Sequence, residues 1–517
     1  MTLNLSRRSL LQNGASLGVA APLIASLGSV ANAAVGPDYK ALVCVFLQGG
    51  NDAHNTLLAT DQDSWGRYWK SRATGSAPIA VMPPGTPRVS VGQTSAVSGR
   101  VVGDTTYPEY WGGALPITPK TAQPIPVGTA PPASGTRTFA VHPLLPNVQR
   151  MFQSGRMAAL SNVGNLVGPL TKAQYAAAGK NGPGVPPRLF SHDDQQIAWQ
   201  SGHISGSSIG WGGLLADTFV TYNTLGVDFS SFSTTSSTVF PQGERVKSYR
   251  IKMNKGSASA VKIDVIGWRG IVNSSAVFVS ELQNTIRAST LANDLALDVV
   301  DVVNHSIDTA SAFNAGVTGT VVNVPTPYVN PLTGLTEVNE LADQLQTVAQ
   351  TIASSASFGG HRQIFFVQLT GFDTHNQQNH VHAHLLSKLD HALAYFDATL
   401  QGLNLSNAVT TFTASDFGRT FTTNGDGTDH AWGGHHFIMG GAVKGGDIYG
   451  QHPTLGVDVT GGFSNPDMSG NSLIPTTSVE QYLATMGRWF GVDQAHLDYI
   501  FPRLKSFGVS DLGFMGV

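Results

Sequence analysis

Four short runs constrain this chain more than anything else in it. Ala41–Leu47 (ALVCVFL), Arg156–Val163 (RMAALSNV), Gln363–Leu369 (QIFFVQL) and Ala408–Ala414 (AVTTFTA) are apolar, β-branched or aromatic at most positions. A strand that is apolar on both sides of its pleat is buried on both sides, which is the pattern of a parallel sheet. Helical periodicity lies beside these runs. Leu144 to Ser154 precedes the second and Leu341 to Ser354 the third. His382 to Leu400 joins the third to the fourth, with Leu385, Leu386, Leu389, Leu393 and Phe396 on one face. Such alternation predicts an α/β fold: a three-layer α/β/α core around a mostly parallel sheet. Near the end, Thr477-x-x-Glu480 reads as a capping box opening a helix through Trp489, with Gly491 as its stop.

The segments just past the strands carry the chemistry. The first strand runs into Gln48-Gly49-Gly50-Asn51-Asp52, the third into Gly371-Phe372-Asp373-Thr374-His375, and the fourth into Ser415-Asp416-Phe417-Gly418-Arg419. Ligands of open α/β sheets bind beyond the carboxyl ends of strands. Asp52, Asp373 and Asp416 are therefore expected to converge at one edge. Gathered carboxylates repel one another, so the arrangement needs a cation or a partner, and a divalent metal satisfies that need. Ten of the sixteen histidines lie between His361 and His452. His430 and His435 sit in a stretch read as a glycine-rich loop, Gly427–His436, just past the fourth strand. Asp and His together suit zinc, with manganese or calcium as alternatives. The spacing of His380, His384 and His391 places them on a helix face rather than in a ligand set.

Composition narrows the setting. Ser6-Arg7-Arg8-Ser9-Leu10-Leu11 puts paired arginines before a weakly apolar stretch, Leu10 to Val30, closed by Ala31-Asn32-Ala33. That is the form of a twin-arginine signal peptide over residues 1–33, implying the twin-arginine translocase as export partner and a periplasmic or secreted location. The alternative is an uncleaved anchor. No later stretch is apolar for long enough to span a membrane. With net charge −3 and no basic run, nucleic acid is not an expected partner. The single cysteine, Cys44, lies in the first apolar run and is expected in the core. Residues 34–517 read as one domain, with insertions at about 75–140 and 205–335 expected to form loops and a cap.

The motifs VFLQGGNDAHNT (45–56), HPLLPNVQRMFQSGRMAALSNVG (142–164), SHDDQQIAWQSG (191–202), GFDTHNQQ (371–378), SDFGRTFTTNGDGTDHAWGGHHFIMGGAVKGGDIYG (415–450) and RWFGVDQAHLDYIFPRL (488–504) resemble the exported bacterial family called domain of unknown function 1501. That family has no settled activity. More distantly it resembles the alkaline phosphatase and sulfatase superfamily. The superfamily resemblance implies an alkaline-phosphatase-like core and matches Asp52 to a first-strand metal ligand. It also matches Asp373 with His375 to one metal site, and Asp416 to the other. His430 or His435 would be the final histidine. Ala198-Trp199-Gln200-Ser201-Gly202 is similar to the close of the phosphatase nucleophile helix, which places the nucleophile at or beside Ser191-His192. Phe417 departs from the pattern by standing where the superfamily has a histidine. Asp373 and His375 are also closer together than the matching pair.

Two functions emerge as expectations. One is a metal-dependent hydrolase of phosphate or sulfate esters. Asp52, Asp373, His375, Asp416 and His430 or His435 would hold the ion, Ser191 or water would attack, and Arg419 would fork two oxygens of the dianion or else pair with a neighbouring acid. The other is a non-catalytic exported protein binding an envelope polymer or a partner.

Overall fold

The structure is a computed structural model that describes residues 38–125, 136–223, 227–236, 238–254, 257–260 and 294–516. The twin-arginine segment lies outside the described residues, as do residues 261–293 of the second expected insertion. The four expected strands form as β1 (Lys40–Gln48), β2 (Met157–Gly164), β6 (Arg362–Thr370) and β7 (Val409–Ser415). They belong to one mixed sheet with β3 (Ser231–Ser233), β4 (Tyr249–Asn254), β5 (Ser257–Ala260), β8 (Gly434–Met439) and β9 (Ile448–Tyr449), in the order β9-β2-β8-β7-β1-β6-β3-β4-β5. At the centre β1 runs parallel to both β6 and β7, and β6 runs parallel to β3. Only β8 interrupts this direction there, antiparallel to both β7 and β2.

Alternation along β1 explains the layers. Val43, Val45 and Leu47 enter one apolar cluster with Leu341, Leu345 and Ile352 of α5 (Glu340–Ala353) and Leu386, Leu389, Leu393 and Phe396 of α6 (Gln378–Gly402). Leu42, Cys44 and Phe46 enter a second cluster on the opposite face. There they meet Trp199 of α3 (His192–Ser201), Trp211 and Leu215 of α4 (Trp211–Asp217), and Tyr482, Leu483 and Phe490 of α7 (Val479–Phe490). The core is therefore three-layered, helices on both faces of the sheet, and Cys44 is buried within it. The helical pattern ahead of β2 forms as α2 (Pro146–Gln153), with proline in its first turn. Part of the segment expected as a cap instead extends the sheet edge, as strands β3, β4 and β5. Phe232 stacks on Phe365 of β6 with ring centroids 5.0 Å apart, which secures β3 to the core.

Two local readings shift. The capping box of α7 is built by Ser478 and Gln481, one residue beyond the pair read from sequence. Both pairs fit the S/T-x-x-E/Q pattern, and the geometry selects the second. The stretch read as a glycine-rich loop through His436 turns into strand β8 at Gly434, and all of GHHFIM is buried. Because β8 runs against its neighbours, it starts where β1, β6 and β7 end. The loop feeding it, residues 416–433, is thereby laid across the carboxyl rim of the sheet.

The core is unusual in its histidines. His54, His142, His382, His435, His436 and His452 are all buried. Burial depresses His382 to about 4 and His435 and His436 to about 3, and holds His54, His142 and His452 well below their ordinary value. Above pH 6.5 these rings are neutral in both folded and unfolded chains and cost nothing. Below it the unfolded chain takes up protons that the native state refuses, so stability falls as pH falls from 6.5 toward 3–4. Each refused proton costs about 1.4 kcal/mol per pH unit. The urea midpoint is expected to drop steeply between pH 6.5 and 5, and a flat profile across that window would show that the rings are not held neutral.

Candidate metal centre

The carboxyl rim is assembled through close backbone approaches. Gly49, just past β1, has φ +116°, and a Cβ there would stand 2.3 Å from the Asp373 nitrogen. Only glycine lets the β1 and β6 loops touch in this way. The Gly49 N–H donates to Asp416 Oδ1 at 3.1 Å, and the Asn51 N–H donates to Ser415 Oγ at 2.9 Å, joining β1 to β7.

Asp416 is fully buried and faces α3. His192, the first residue of that helix, brings Nδ1 to 2.6 Å from Asp416 Oδ2, and Gln196 Nε2 donates to the same oxygen at 2.9 Å. The hydrogen bond to Asp416 raises His192 above its ordinary pKa, against partial burial. With Nδ1 held by a carboxylate, Nε2 is left to face the rim. It lies 3.0 Å from His430 Nε2 and 3.4 Å from Asp373 Oδ1.

His430 is oriented in the same manner by a different acceptor. Its Nδ1 is 2.7 Å from the Phe190 carbonyl oxygen. Phe190 reaches that position with φ +75°, a left-handed conformation that costs a non-glycine residue about 1–3 kcal/mol. His430 Nε2 lies 3.3 Å from Asp373 Oδ1 and 2.9 Å from His375 Nε2. His375 completes the set: its Nδ1 is 3.2 Å from Asp429 Oδ1 and its Nε2 is 3.2 Å from Asp373 Oδ1. Each of the three imidazoles thus has an acceptor at Nδ1. That fixes the tautomer and turns the Nε2 lone pair toward Asp373.

Lone pairs brought within 2.9–3.4 Å of one another repel unless something positive lies among them. A tetrahedral ion with ligands at 2.0–2.1 Å has ligand–ligand edges of about 3.3–3.4 Å. His192, Asp373 and His430 match a three-ligand cation cluster, and His375 stands against two of its members. Asp416, Asp429 and the Phe190 carbonyl occupy the places of outer partners that fix ligating histidines. The donor set therefore fits a borderline divalent ion.

The other acids are answered differently. Asp52 caps the single turn Ala53–Thr56 and is fully buried against Arg72, the last residue of α1 (Gln62–Arg72), at 2.5 and 3.0 Å. Gln378 Nε2 adds a further donor at 2.5 Å. Burial alone would push Asp52 up, but the Arg72 guanidinium holds it well below the usual carboxylate range. Arg72 in turn donates to the Thr420 and Phe421 carbonyls at 2.7 and 2.8 Å. Asp52 is thus at the sheet rim as expected, but its cation is an arginine and it stands apart from the imidazoles. Arg419 is likewise committed. Fully buried, it donates to Asp373 Oδ1 at 2.8 Å and to the Thr428 carbonyl at 2.5 Å. It is the ion-pair partner left open by the sequence and has no fork turned outward. Burial works against ionised Asp373, yet the hydrogen bond and charge of Arg419 keep its pKa below the ordinary value.

His435 lies elsewhere. On β8 its Nδ1 accepts the Asn162 N–H at 3.0 Å, and its ring sits 4.7 Å from His452 inside the core. Ser191 neighbours His192 in sequence, but its hydroxyl donates to Asp194 Oδ2 at 2.6 Å. Phe417 packs against both His192 and His430, ring centroids 4.7 Å from each, and forms a wall of the cluster. His384 pairs with Glu337 at 3.0 Å, and His391 Nε2 lies 3.0 Å from the Thr326 carbonyl oxygen.

No curated protein matches this chain. Among solved structures it is similar to Ps i-CgsB, at 10% identity over 70% of this chain and 71% of that one, with a TM-score of 0.29. It is similar to the phosphonate monoester hydrolase SpPMH from Silicibacter pomeroyi, at 9% identity over 68% and 69%, TM-score 0.28. It is also similar to the PsFucS1 sulfatase from Pseudoalteromonas sp., at 10% identity over 72% and 65%, TM-score 0.27. A family described as protein of unknown function (DUF1501) matches residues 39–501, and the chain belongs to that family.

Proposed function

We propose that this chain is a metal-dependent hydrolase acting on phosphate or sulfate esters, with one zinc-type ion held by His192, Asp373, His375 and His430. The observation that carries the reading is the convergence of three outward-anchored imidazoles on one carboxylate oxygen at 3.2–3.4 Å. When bound, such an ion supplies Lewis-acid polarisation of an ester oxygen and a lowered pKa for water. The protein's own part is positional. Asp416 and Asp429 hold the Nδ1 protons of His192 and His375, and Phe417 excludes water from one side. Ser191 is the proposed nucleophile, its proton already directed to Asp194.

A second reading has an observation of its own. Arg72 and Arg419 already neutralise Asp52 and Asp373 from within. Built-in cations of that kind favour a non-catalytic binding protein for an envelope polymer or partner. Export by the twin-arginine translocase to the periplasm or beyond is proposed for either reading. Among the described residues no helix is long and apolar enough to cross a membrane. Replacing Arg7 and Arg8 by lysine is expected to leave the protein in the cytoplasm, whereas unchanged export would refute that route.

Elemental analysis of purified protein is expected to give one zinc or manganese per chain, lost on His430→Ala or Asp373→Ala. Asp416→Asn is expected to weaken metal binding about 10–100-fold, the usual effect of an outer partner. Asp52→Ala separates the two roles of the rim acids. Leaving Arg72 buried without its counter-ion costs about 3–5 kcal/mol of stability, while the metal content of the folded fraction stays at one. Hydrolysis of p-nitrophenyl phosphate or sulfate by the metal-loaded protein, abolished in Asp373→Ala, supports the hydrolase. A metal-free, fully folded protein without turnover points to the binding protein instead.

A further inference from the structure

A row of half-buried glutamines runs along the sheet rim away from the histidines, on the face covered by α3. Gln196 of α3 donates through Nε2 to Asp416 Oδ2 at 2.9 Å. Gln48, the last residue of β1, donates to Gln196 Oε1 at 3.4 Å, and Gln368 of β6 donates to Gln48 Oε1. Beyond it, Gln344 of α5 clasps the Gln368 backbone from both sides. Its Oε1 accepts the Gln368 N–H at 3.0 Å and its Nε2 donates to the Gln368 carbonyl at 2.9 Å. Thr234, just past β3, donates to Gln344 Oε1 at 2.7 Å. The row therefore ties the ends of three strands to two helices and terminates on the carboxylate that orients His192.

Its polarity is fixed from one end. Asp416 Oδ2 is the acceptor, so Gln196 turns its NH2 toward Asp416 and its oxygen toward Gln48. Gln48 must then present its NH2 to Gln196 and its oxygen to Gln368, which presents NH2 in turn. Three amide dipoles point the same way, each polarising the next. Random amide packing on a surface has no reason to align. A row of this kind also adds no charge of its own, so it can steady Asp416 without competing for an ion at the centre.

We propose that Gln368, Gln48 and Gln196 act as a relay of positioning residues that holds Asp416 in place and so keeps His192 in the Nδ1-protonated tautomer, its Nε2 lone pair turned to the metal centre. The inference rests on the metal-centre reading given above, and the two can fail separately.

The decisive variant is Gln48→Met, which touches neither Asp416 nor any imidazole. Zinc affinity is measured by competition with a chromophoric chelator on the wild type, Gln196→Met, Gln48→Met and the double variant. Thermal midpoints of the metal-free proteins identify any variant that has lost its fold. The relay gives about 10-fold weaker binding for Gln196→Met and about threefold for Gln48→Met, a fraction of that direct effect. The double variant should be no weaker than Gln196→Met alone, since cutting one chain twice has no further effect. Unchanged affinity in Gln48→Met, or losses that add, would overturn the relay while leaving the metal centre intact. If Gln48→Met does not fold, Gln368→Met applies the same test at the head of the row. In metal-free protein at pH 8, histidine 15N–1H spectra read the tautomer of His192 directly. The wild type should show Nδ1–H alone and both glutamine variants a mixture with Nε2–H. A wild type that binds no zinc would refute the metal reading, and the tautomer spectra would still decide the relay: no change in either variant ends it.

Discussion

A carboxylate with no exposure to water must be answered on every side, and Asp416 is the point where this fold meets that demand. It receives the Gly49 N–H from the loop after β1, and Gln196 and His192 from α3, while it is itself anchored at the end of β7. Two adjacent parallel strands and the helix above them are thereby locked around one negative charge. The arrangement decides which nitrogen of His192 faces inward, and from that choice the geometry of the cluster follows. Charge-assisted hydrogen bonds of this kind are among the stronger polar contacts in proteins, so the histidine is placed by the same interaction that closes the rim.

The acids of the rim are answered by different partners. Asp52 has Arg72, Asp373 has Arg419 together with three imidazole Nε2 edges, Asp416 has His192, and Asp429 has His375. Two internal guanidiniums take up the charge of the two acids nearest them. What remains is a compact set of nitrogen lone pairs and one carboxylate oxygen, a donor chemistry suited to a single borderline ion. The same pairing leaves Arg419 with nothing free to grip a substrate.

The strands, their order of burial and the acids beyond them were legible because a doubly covered strand must be apolar at every position, and because Asp directly after such a run marks the rim. The partners were not legible. Arg72 ends a helix, QDSWGRYWKSR, that looks solvated, and nothing local announces that its last residue turns inward to Asp52. His430 and His435 are five residues apart and chemically equivalent in sequence. Only the turn into antiparallel β8 sends one to the rim and the other into the core. Gly434-His435-His436 resembles loop in composition, and its strand character comes from pairing with β2 and β7. Asp429, which steers His375, stood in full view beside His430, but an acid in a glycine-rich stretch carries no mark of the ring it will hold. Local pattern reports burial and period; pairing across hundreds of residues is set by the packed whole.

The proposed cation lies between His192, Asp373 and His430, with His375 beside them. Zinc-edge X-ray absorption on zinc-loaded protein tests that placement most directly. An ion held there gives a four-coordinate spectrum at about 2.0–2.1 Å with the multiple-scattering signature of imidazole rings, diminished in His430→Ala. A spectrum of oxygen ligands without imidazole scattering, or one indifferent to loss of His430, would contradict it.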